Sequence, residues 1–283
     1  MSLPALHALA CPNCAGPLGQ DGRRLHCPAG HSFDLAKQGY APLLAPGANT
    51  TTGDTAEQVA AREAFLSTGA FDPLMEAVAR AARTDAPGVI VEPGCGTGHY
   101  LAAALAADET REGVGLDTSK YALRRAARSA AREGERGRIA AVLADAWGRL
   151  PIRDGAAAAV LNVFAPRSPG EIARILHPDG PLVVLTPRAD HLRELVDALA
   201  LLSVDPAKPR RTVDQLGAAF AVERTEELRY AMELDRGDVL RLVSMGPSAR
   251  HQGPEALAAA VDRLPTPVRV TVSATVARWR RRE

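Results

Sequence analysis

Three cysteines and a histidine lie close together near the start of the chain, and their spacing constrains the fold more than any other feature. The stretch CPNCAGPLGQDGRRLHCPAGHSFD, residues 11–34, contains Cys11-x2-Cys14 and, after twelve intervening residues, Cys27-x3-His31. Two ligand pairs of this kind, each on a tight turn, can place four side chains around one tetrahedral Zn²⁺. The residues between the pairs, GPLGQDGRRLH, have the Gly and Asp-Gly chemistry typical of a hairpin turn. The spacing therefore predicts a small zinc-binding hairpin module.

Disulfide bonding and a chance cluster of thiols are the alternative interpretations of these cysteines. The chain opens with MSLPALHALACPNC, which is not a charged leader followed by a long apolar run, and no segment reaches the roughly 18 apolar residues of a membrane span. We therefore expect a soluble, cytoplasmic protein with no membrane partner. In a reducing compartment, clustered cysteines bind metal more often than they form disulfides. Because four protein ligands leave no coordination position for water, we expect the zinc to be structural.

The length of 283 residues, 46% of them hydrophobic, is enough for one large domain beside this module. We assign residues 1–42 to the zinc-binding module and residues 43–283 to the larger domain. APGANTTTGD, rich in Pro, Gly, Thr and Asn, is typical of a loop, and a helix is predicted to begin after an N-cap at Asp54 or Thr55.

Short apolar runs alternate with helical stretches through the middle of the chain. The predicted strands are GVIVEPG, REGVGLD, RIAAVLAD, AAAAVLNVF and GPLVVLTP, and the predicted helices are HYLAAALAA, SKYALRRAARSAARE and PGEIARIL. Such a βαβ series predicts an α/β fold with a parallel, doubly wound sheet that binds its ligand at the carboxyl ends of the strands. Apolar and polar residues alternate more clearly in the later stretches AFAVERTEELRYAMELD and VRVTVSATVARW, which predicts antiparallel strands at the edge of the sheet.

Three of the predicted strands end in residues suited to one nucleotide-like ligand. The first continues into EPGCGTGHY, residues 92–100, whose glycines differ from the dinucleotide pattern G-x-G-x-x-G and let the backbone approach a ligand closely. The second ends at Asp117, where a carboxylate can accept both ribose hydroxyls. The third ends at Asp145-Ala146, which is suited to an adenine amino group. The site predicted from the residues themselves comprises Gly94, Gly96, Gly98, Asp117, Asp145 and Ala146.

These strand ends together resemble the class I S-adenosylmethionine-dependent methyltransferases, in which an acidic residue, here Glu92, opens the glycine loop. The resemblance implies a Rossmann-like sheet that binds S-adenosylmethionine. A Rossmann-like domain for another nucleotide is the alternative. We interpret Cys95, inside the loop, as a packing residue rather than a nucleophile.

The two modules in combination are similar to the RlmA-type 23S rRNA (guanine-N1)-methyltransferase family. The shared motifs run from about Cys11 to Leu195, in the order HSFDLAKQGYAPLL, AREAFLSTGAFDPL, EPGCGTGHY, GLDTSKYAL, NVFAP and LTPRADHLREL. The resemblance implies methyl transfer to N1 of a guanine in a 23S rRNA hairpin, by a homodimer. Some family members are housekeeping enzymes and others confer resistance to tylosin-type macrolides, and the sequence does not distinguish these roles or identify the target guanine.

The resemblance also assigns individual residues. Gly96, Thr97, Phe71 and His191 match cofactor contacts of the family. Without it, Phe71 is interpreted as core filler and His191 as a solvated helix residue.

The residues that contact the guanine are less clear from the sequence. Asp34, on the module, and Asn162, at the end of the fourth predicted strand, are candidates for holding the base. The general base that removes the N1 proton is not identified by the sequence.

Local basic patches must supply any RNA contacts, because the net charge is only +1. Arg23 and Arg24 on the zinc hairpin are interpreted as phosphate contacts. The helix face with Arg124, Arg125, Arg128 and Arg132 is interpreted as solvated surface, and the tail RWRRR, residues 278–282, as a further possible contact.

Two other functions fit parts of the sequence. One is a small-molecule methyltransferase whose zinc module docks another protein. The other is a degenerate methyltransferase fold that binds a ligand without catalysing a reaction. The intact glycine loop and Asp117 argue against this second function.

Overall fold

A three-stranded antiparallel sheet forms the N-terminal module. The computed structural model describes residues 2–48, 53–132, 137–203, 205, 208–246 and 253–282. After a short 3-10 helix at Leu6–Ala8, the module contains β1 (Gly19–Asp21), β2 (Arg24–His26) and β3 (Ser32–Asp34). The first two strands form the predicted hairpin, with Gly19 opposite His26.

Helices and strands make up the rest of the fold. In chain order they are β4 (Ala41–Pro42), α1 (Ala56–Leu66), α2 (Asp72–Ala82), β5 (Val89–Pro93), α3 (His99–Ala106), β6 (Gly113–Asp117), α4 (Lys120–Arg132), β7 (Ile139–Leu143), β8 (Ala157–Val163), α5 (Pro169–Ile175), β9 (Pro181–Pro187), α6 (Arg193–Leu199), α7 (Lys208–Leu216), β10 (Phe220–Leu234), α8 (Arg236–Ser244), α9 (Pro254–Val261) and β11 (Val268–Arg281). The five strands and three helices predicted in the middle of the chain are confirmed. Of the two N-cap candidates for α1, the structure uses Thr55, which exchanges hydrogen bonds with Gln58 in a capping box.

One eight-stranded sheet organises the larger part of the molecule, in the order β10-β11-β9-β8-β5-β6-β7-β4. The strands from β4 to β9 are parallel, whereas β11 pairs antiparallel with both β9 and β10. This confirms the predicted Rossmann-like α/β sheet and its antiparallel edge. The strand order reverses between β5 and β8, and in such sheets the crevice beyond the carboxyl ends at this point binds the ligand.

Successive strand residues point to opposite faces of the sheet and build two hydrophobic clusters. Ile90 belongs to the cluster that α2 and α3 cover, whereas Val89 and Val91 belong to the cluster on the other face. Leu25 and Cys27 of the module belong to this second cluster. The module is therefore packed against one face of the large sheet.

The module is also joined to the sheet edge. Ala41 and Pro42 of β4 pair in parallel with Val142 and Leu143 of β7, so the proposed division at residue 42 falls at the end of a strand of the large sheet. Among the residues described, no helix combines the length and the hydrophobicity that crossing a bilayer requires.

Candidate active site and metal centre

Cys11, Cys14, Cys27 and His31 converge in the module. Their four ligand atoms all lie within 4.8 Å of one another. Cys14 Sγ lies 3.7 Å from Cys27 Sγ, and Cys27 Sγ lies 3.3 Å from His31 Nδ1. Zn–S bonds of about 2.3 Å in a tetrahedral site place sulfur atoms roughly 3.8 Å apart, which is close to the separation of Cys14 and Cys27, so this donor set fits Zn²⁺. All four cysteines of the chain are free thiols.

Backbone hydrogen bonds close the two turns that carry these ligands. The Ala15 N–H donates to the Cys11 carbonyl at 2.8 Å, and the Gly30 N–H donates to the Cys27 carbonyl at 3.0 Å. Burial raises the pKa of the Cys27 thiol, but hydrogen bonds with His31 and Cys14 lower it by more, to about 6. The turns thus present preformed ligands, one of them with a tendency to ionise.

The glycine loop joins β5 to α3 in a conformation that requires its glycines. Gly94, Gly96 and Gly98 have φ values of +75°, +54° and +82°, which L side chains rarely adopt. A Cβ at Gly94 would also lie only 2.9 Å from the Cβ of Ala165. Cys95, within the loop, is buried in a small hydrophobic cluster, and burial raises the pKa of its thiol, which agrees with its interpretation as a packing residue.

Asp117 ends β6 beside this loop. Its Oδ2 accepts a 2.8 Å hydrogen bond from the Gly96 N–H, and its Oδ1 accepts one of 2.7 Å from the Ser119 N–H. Burial raises the pKa of Asp117, whereas these two hydrogen bonds lower it. Each carboxylate oxygen keeps a second lone pair, with which it can accept a ligand hydroxyl.

Glu92, at the start of the loop, is a buried carboxyl group. It is 2% exposed, and its Oε2 has no hydrogen-bond partner among the described residues. Burial raises the pKa of Glu92 well above its ordinary value. A buried acceptor without a partner costs about 1–3 kcal/mol, so the site favours a ligand that brings hydrogen-bond donors. S-adenosylmethionine, with an amino group and two ribose hydroxyls, fits this requirement.

A cavity of about 300 Å³ lies at the carboxyl ends of β5, β6, β7 and β8. The predicted cofactor residues that line it are Phe71, Glu92, Gly94, Gly96, Thr97, Asp117, Asp145 and Ala146. Gly98 lies at the N-cap of α3. The structure therefore brings together the three strand ends that the sequence assigns to one ligand.

A second, larger cavity of about 730 Å³ adjoins the first, and Phe71, Trp147 and Phe164 line both. Trp147 is 66% exposed and Phe164 is 39% exposed, which is unusual for aromatic side chains. Phe164 has a φ of +48°, a strained value for a residue with a Cβ. Two exposed aromatic rings thus stand where the two cavities meet.

Comparison with known proteins relates both modules to rRNA methyltransferases. A zinc-ribbon family model described as "RlmA, N-terminal" matches residues 9–47, and one described as "Methyltransferase domain" matches residues 90–180. The 23S rRNA (guanine(748)-N(1))-methyltransferase of Streptomyces fradiae is 48% identical over 271 residues, which cover 94% of this chain and 94% of that protein. A Micromonospora griseorubida protein, named as a 23S rRNA (guanine-N(1)-)-methyltransferase, is 48% identical over 96% of this chain and 97% of its own length. The chain belongs to the 23S rRNA (guanine-N1)-methyltransferase family.

Solved structures of lower sequence identity share the fold of the larger domain. The MccD protein superposes with a TM-score of 0.51 at 14% identity, covering 74% of this chain and 96% of its own. YcgJ of Bacillus subtilis has a TM-score of 0.51 at 15% identity, covering 74% of this chain and 98% of its own. At such identity the similarity concerns the fold alone, and it agrees with the class I sheet described above.

Phe71 and His191, both predicted from the sequence to contact the cofactor, lie next to each other. Phe71 packs edge-on against Phe65 at 5.1 Å between ring centroids, and its centroid lies 6.3 Å from that of His191. His191 lines the second cavity, and its Nδ1 accepts a hydrogen bond from the Ser273 N–H at 3.2 Å. The cofactor role of His191 stays a prediction.

Neither candidate for holding the guanine lines either of these two cavities. Asp34 is exposed on β3, where its Oδ1 lies 3.3 Å from the Nε of Arg24. Asn162 is buried at the end of β8, and its Nδ2 donates a 2.9 Å hydrogen bond to the Pro166 carbonyl. Asn162 therefore holds the loop that carries Phe164.

Arg62 and Trp147 are among the residues of the site that sequence reasoning missed. Arg62 reaches over the glycine loop from α1, where its Nη2 donates to Asp54 Oδ2 at 2.6 Å and to the Met245 carbonyl at 3.1 Å. No local motif marks Arg62, because its partners are distant in sequence. Trp147 could have been noticed, since it is one of only two tryptophans and follows directly on the predicted adenine contact at residues 145–146.

Proposed function

We propose that this protein transfers the methyl group of S-adenosylmethionine to N1 of a guanine in a 23S rRNA hairpin. The observation that carries the proposal is the opening of the glycine-loop cavity into the larger, aromatic-walled cavity. One cavity suits a nucleoside cofactor and the other suits a nucleobase, so donor and acceptor would meet at their shared wall. The 48% identity to the Streptomyces fradiae enzyme over 94% of both chains supports the same reaction.

The residues of the first cavity would bind the cofactor. Asp117 accepts hydrogen bonds from the ribose hydroxyls, Glu92 accepts one from a further donor of the cofactor, and Asp145 with Ala146 holds the adenine edge. Phe71 covers the site with its ring. When bound, S-adenosylmethionine supplies a methyl group already activated by its positively charged sulfur. The protein's task is therefore chiefly to align the acceptor nitrogen with that group.

The second cavity would bind the target guanine after it leaves the base stack. A base in a hairpin must be extruded to reach a buried methyl donor, and aromatic rings compensate for the lost stacking. Trp147 and Phe164 are placed for this role, and Asn162 positions Phe164 through its bond to the loop. Guanine N1 carries a proton at neutral pH, which a neighbouring acceptor or water must remove.

The zinc module would grip the RNA outside the two cavities. Residues 1–42 form an RNA-recognition module in this proposal, with Zn²⁺ holding the hairpin that displays Arg23 and Arg24. Asp34, which ends the neighbouring strand β3 opposite Arg24, would contact the guanine or the RNA beside it. Because ribosomal RNA is modified where ribosomes are assembled, we place the protein in the cytoplasm, and the family resemblance supports a homodimer, which sedimentation analysis would test.

Primer extension tests the reaction directly. An N1 methyl group occupies the Watson–Crick edge, so reverse transcriptase should stop beside one guanine of 23S rRNA treated with enzyme and cofactor. The stop should disappear when the cofactor is omitted. Incorporation of methyl label only into small metabolites or protein would instead support the small-molecule alternative, and label at another guanine atom would contradict the N1 assignment.

We extend the proposal to resistance against tylosin-type macrolides, as in part of the family. Expression of the protein in a sensitive bacterial strain should raise the inhibitory concentration of tylosin. If the 23S rRNA is methylated but the sensitivity of the strain to tylosin does not change, the protein has a housekeeping role only.

A further inference from the structure

A third cavity, of about 380 Å³, lies between the N-terminal module, α1 and α4. We call it the α4 pocket; its walls include Gln38 of the module, Val59 of α1, and Tyr121, Arg124, Arg125 and Arg128 of α4. It shares no lining residue with the two cavities of the candidate active site. The pocket is therefore a separate feature that the proposed reaction leaves unexplained.

Basic side chains dominate this pocket. Lys120, Arg124 and Arg128 follow one another at intervals of four residues and so lie on one face of α4. Arg125 is neutralised by an ion pair with Glu63. No carboxylate of the described part of the chain pairs with Lys120, Arg124 or Arg128. Arg124 and Arg128 are therefore available to an anion from outside the described part of the chain.

Arg124 is held in place but keeps an unmet donor. Its guanidinium carbon lies 5.7 Å from the centroid of the Tyr121 ring, and Lys120 Nζ lies 5.3 Å from the same ring. The Arg124 Nε is buried and lacks a hydrogen-bond partner within the described ranges. Because leaving a buried charged donor unpaired is costly, the arrangement favours an anion in the pocket.

We propose that the α4 pocket binds backbone phosphates of the substrate RNA, a proposal that rests on the function proposed above. Guanidinium groups bind phosphate through paired hydrogen bonds, and the Gln38 amide adds a donor from the module. The nine residues from Lys120 to Arg128 extend over about 12 Å of helix, which suits a chain of phosphates better than one small anion. RNA bound here would contact the zinc module and the methyltransferase domain at once. The face that sequence reasoning interpreted as solvated surface thus becomes part of the substrate site.

The test compares two double variants that remove the same charge. Arg124→Ala with Arg128→Ala alters the pocket, whereas Arg263→Ala with Arg269→Ala removes two exposed arginines elsewhere. Fluorescence anisotropy with a labelled 23S rRNA hairpin, measured at several salt concentrations, gives RNA affinity and its salt dependence. We expect the pocket variant to bind about tenfold or more weakly, with a log–log salt slope reduced by about two, and the control to remain near wild type.

Kinetics and cofactor binding complete the test. The pocket variant should raise KM for RNA while kcat at saturating RNA and affinity for S-adenosylmethionine stay unchanged, and Arg124→Lys should recover part of the RNA affinity. Equal RNA affinity of the pocket variant and the control would overturn the phosphate site. So would a loss of cofactor affinity in a pocket variant that unfolds at the wild-type temperature. If the wild-type protein neither binds nor methylates the RNA, the proposed function itself is wrong.

Discussion

The backbone N–H of Gly96 donates a 2.8 Å hydrogen bond to Oδ2 of Asp117, and this bond ties the glycine loop to the end of the neighbouring strand. Gly96 itself adopts a left-handed φ of +54°, which favours glycine at this position. The shape of the loop and the orientation of the carboxylate therefore depend on each other. A change at Asp117 removes both a ligand contact and a support of the loop.

We expect Asp117→Ala to weaken S-adenosylmethionine binding by about 1–3 kcal/mol, the range for losing charge-assisted hydrogen bonds. Isothermal titration calorimetry measures the change. Asp117→Asn, which keeps the shape and one acceptor oxygen, should lie between the wild type and the alanine variant. An alanine variant with wild-type affinity would exclude Asp117 from the cofactor site.

Glu92→Gln should stabilise the ligand-free protein at neutral and higher pH. Burial raises the pKa of Glu92 well above its ordinary value of 4.5, so the folded state disfavours the ionised carboxyl group. The penalty is full above the raised pKa of the folded state and vanishes as the pH falls to 4.5, because the carboxyl group is then protonated in both states. Thermal melts across this range should show the advantage of the variant shrinking with falling pH. The same variant should bind S-adenosylmethionine more weakly; a constant stability difference at every pH would contradict the assignment.

The protein should contain one zinc ion per chain, bound by Cys11, Cys14, Cys27 and His31. Elemental analysis after purification without chelators measures it, and a metal-free protein or one with intact disulfides would refute the site. Cys14→Ala should unfold the module, because removing one of four ligands weakens structural zinc binding. Affinity for S-adenosylmethionine should remain nearly unchanged, since its predicted contacts lie in the larger domain.

Arg23→Glu with Arg24→Glu should weaken RNA binding and the primer-extension stop, while cofactor affinity remains at the wild-type level. The Arg23 Nη2 donates to the Leu35 carbonyl at 2.9 Å, and Arg24 pairs with the exposed Asp34. Exposed pairs of this kind contribute little, so both charges remain available to phosphates. Arg263→Glu with Arg269→Glu makes the same charge change outside the module and serves as the control. Equal weakening by both double variants would mean that only net charge matters.

Binding of the RNA hairpin should quench the fluorescence of Trp147. The chain has two tryptophans, and Trp279 is only 3% exposed, so Trp147 reports on the aromatic cavity. The titration is made at saturating S-adenosylhomocysteine, which keeps the cofactor contribution constant. Trp147→Phe should abolish most of the quenching, and Trp147→Ala should reduce the methylation rate because base stacking contributes about 1–3 kcal/mol. Undiminished quenching in Trp147→Phe would place the base elsewhere.

Several features of the fold could be predicted because their causes are local. A strand that is buried on both faces of a sheet needs a short run of apolar residues. Such runs are visible in the sequence, so β5 and its parallel neighbours were predictable. The glycine loop was predictable because positive φ values at Gly94, Gly96 and Gly98 exclude most other residues. The metal site was predictable because two tight turns bring each ligand pair together within a few residues.

Contacts between distant segments escaped the same reasoning. Arg62 joins the site because α1 packs beside the glycine loop, and its partner Met245 is 183 residues away. Asp34 is exposed on the module, and nothing in its neighbourhood along the chain indicates whether it faces the larger domain. Side chains of this kind acquire a role only from long-range packing.

The sequence by itself determined the zinc ligands, the alternating strands and helices from β5 to β9, and the residues at the strand ends, since each depends on periodicity or spacing within a short segment. Only the tertiary structure decided that β4 extends the sheet, that Trp147 and Phe164 meet at the junction of two cavities, and that Gln38 joins the arginines of α4 in one pocket. These relationships arise when the module packs on the sheet and the helices on each other. Packing of that kind depends on complementary surfaces formed by remote segments, which no local pattern encodes.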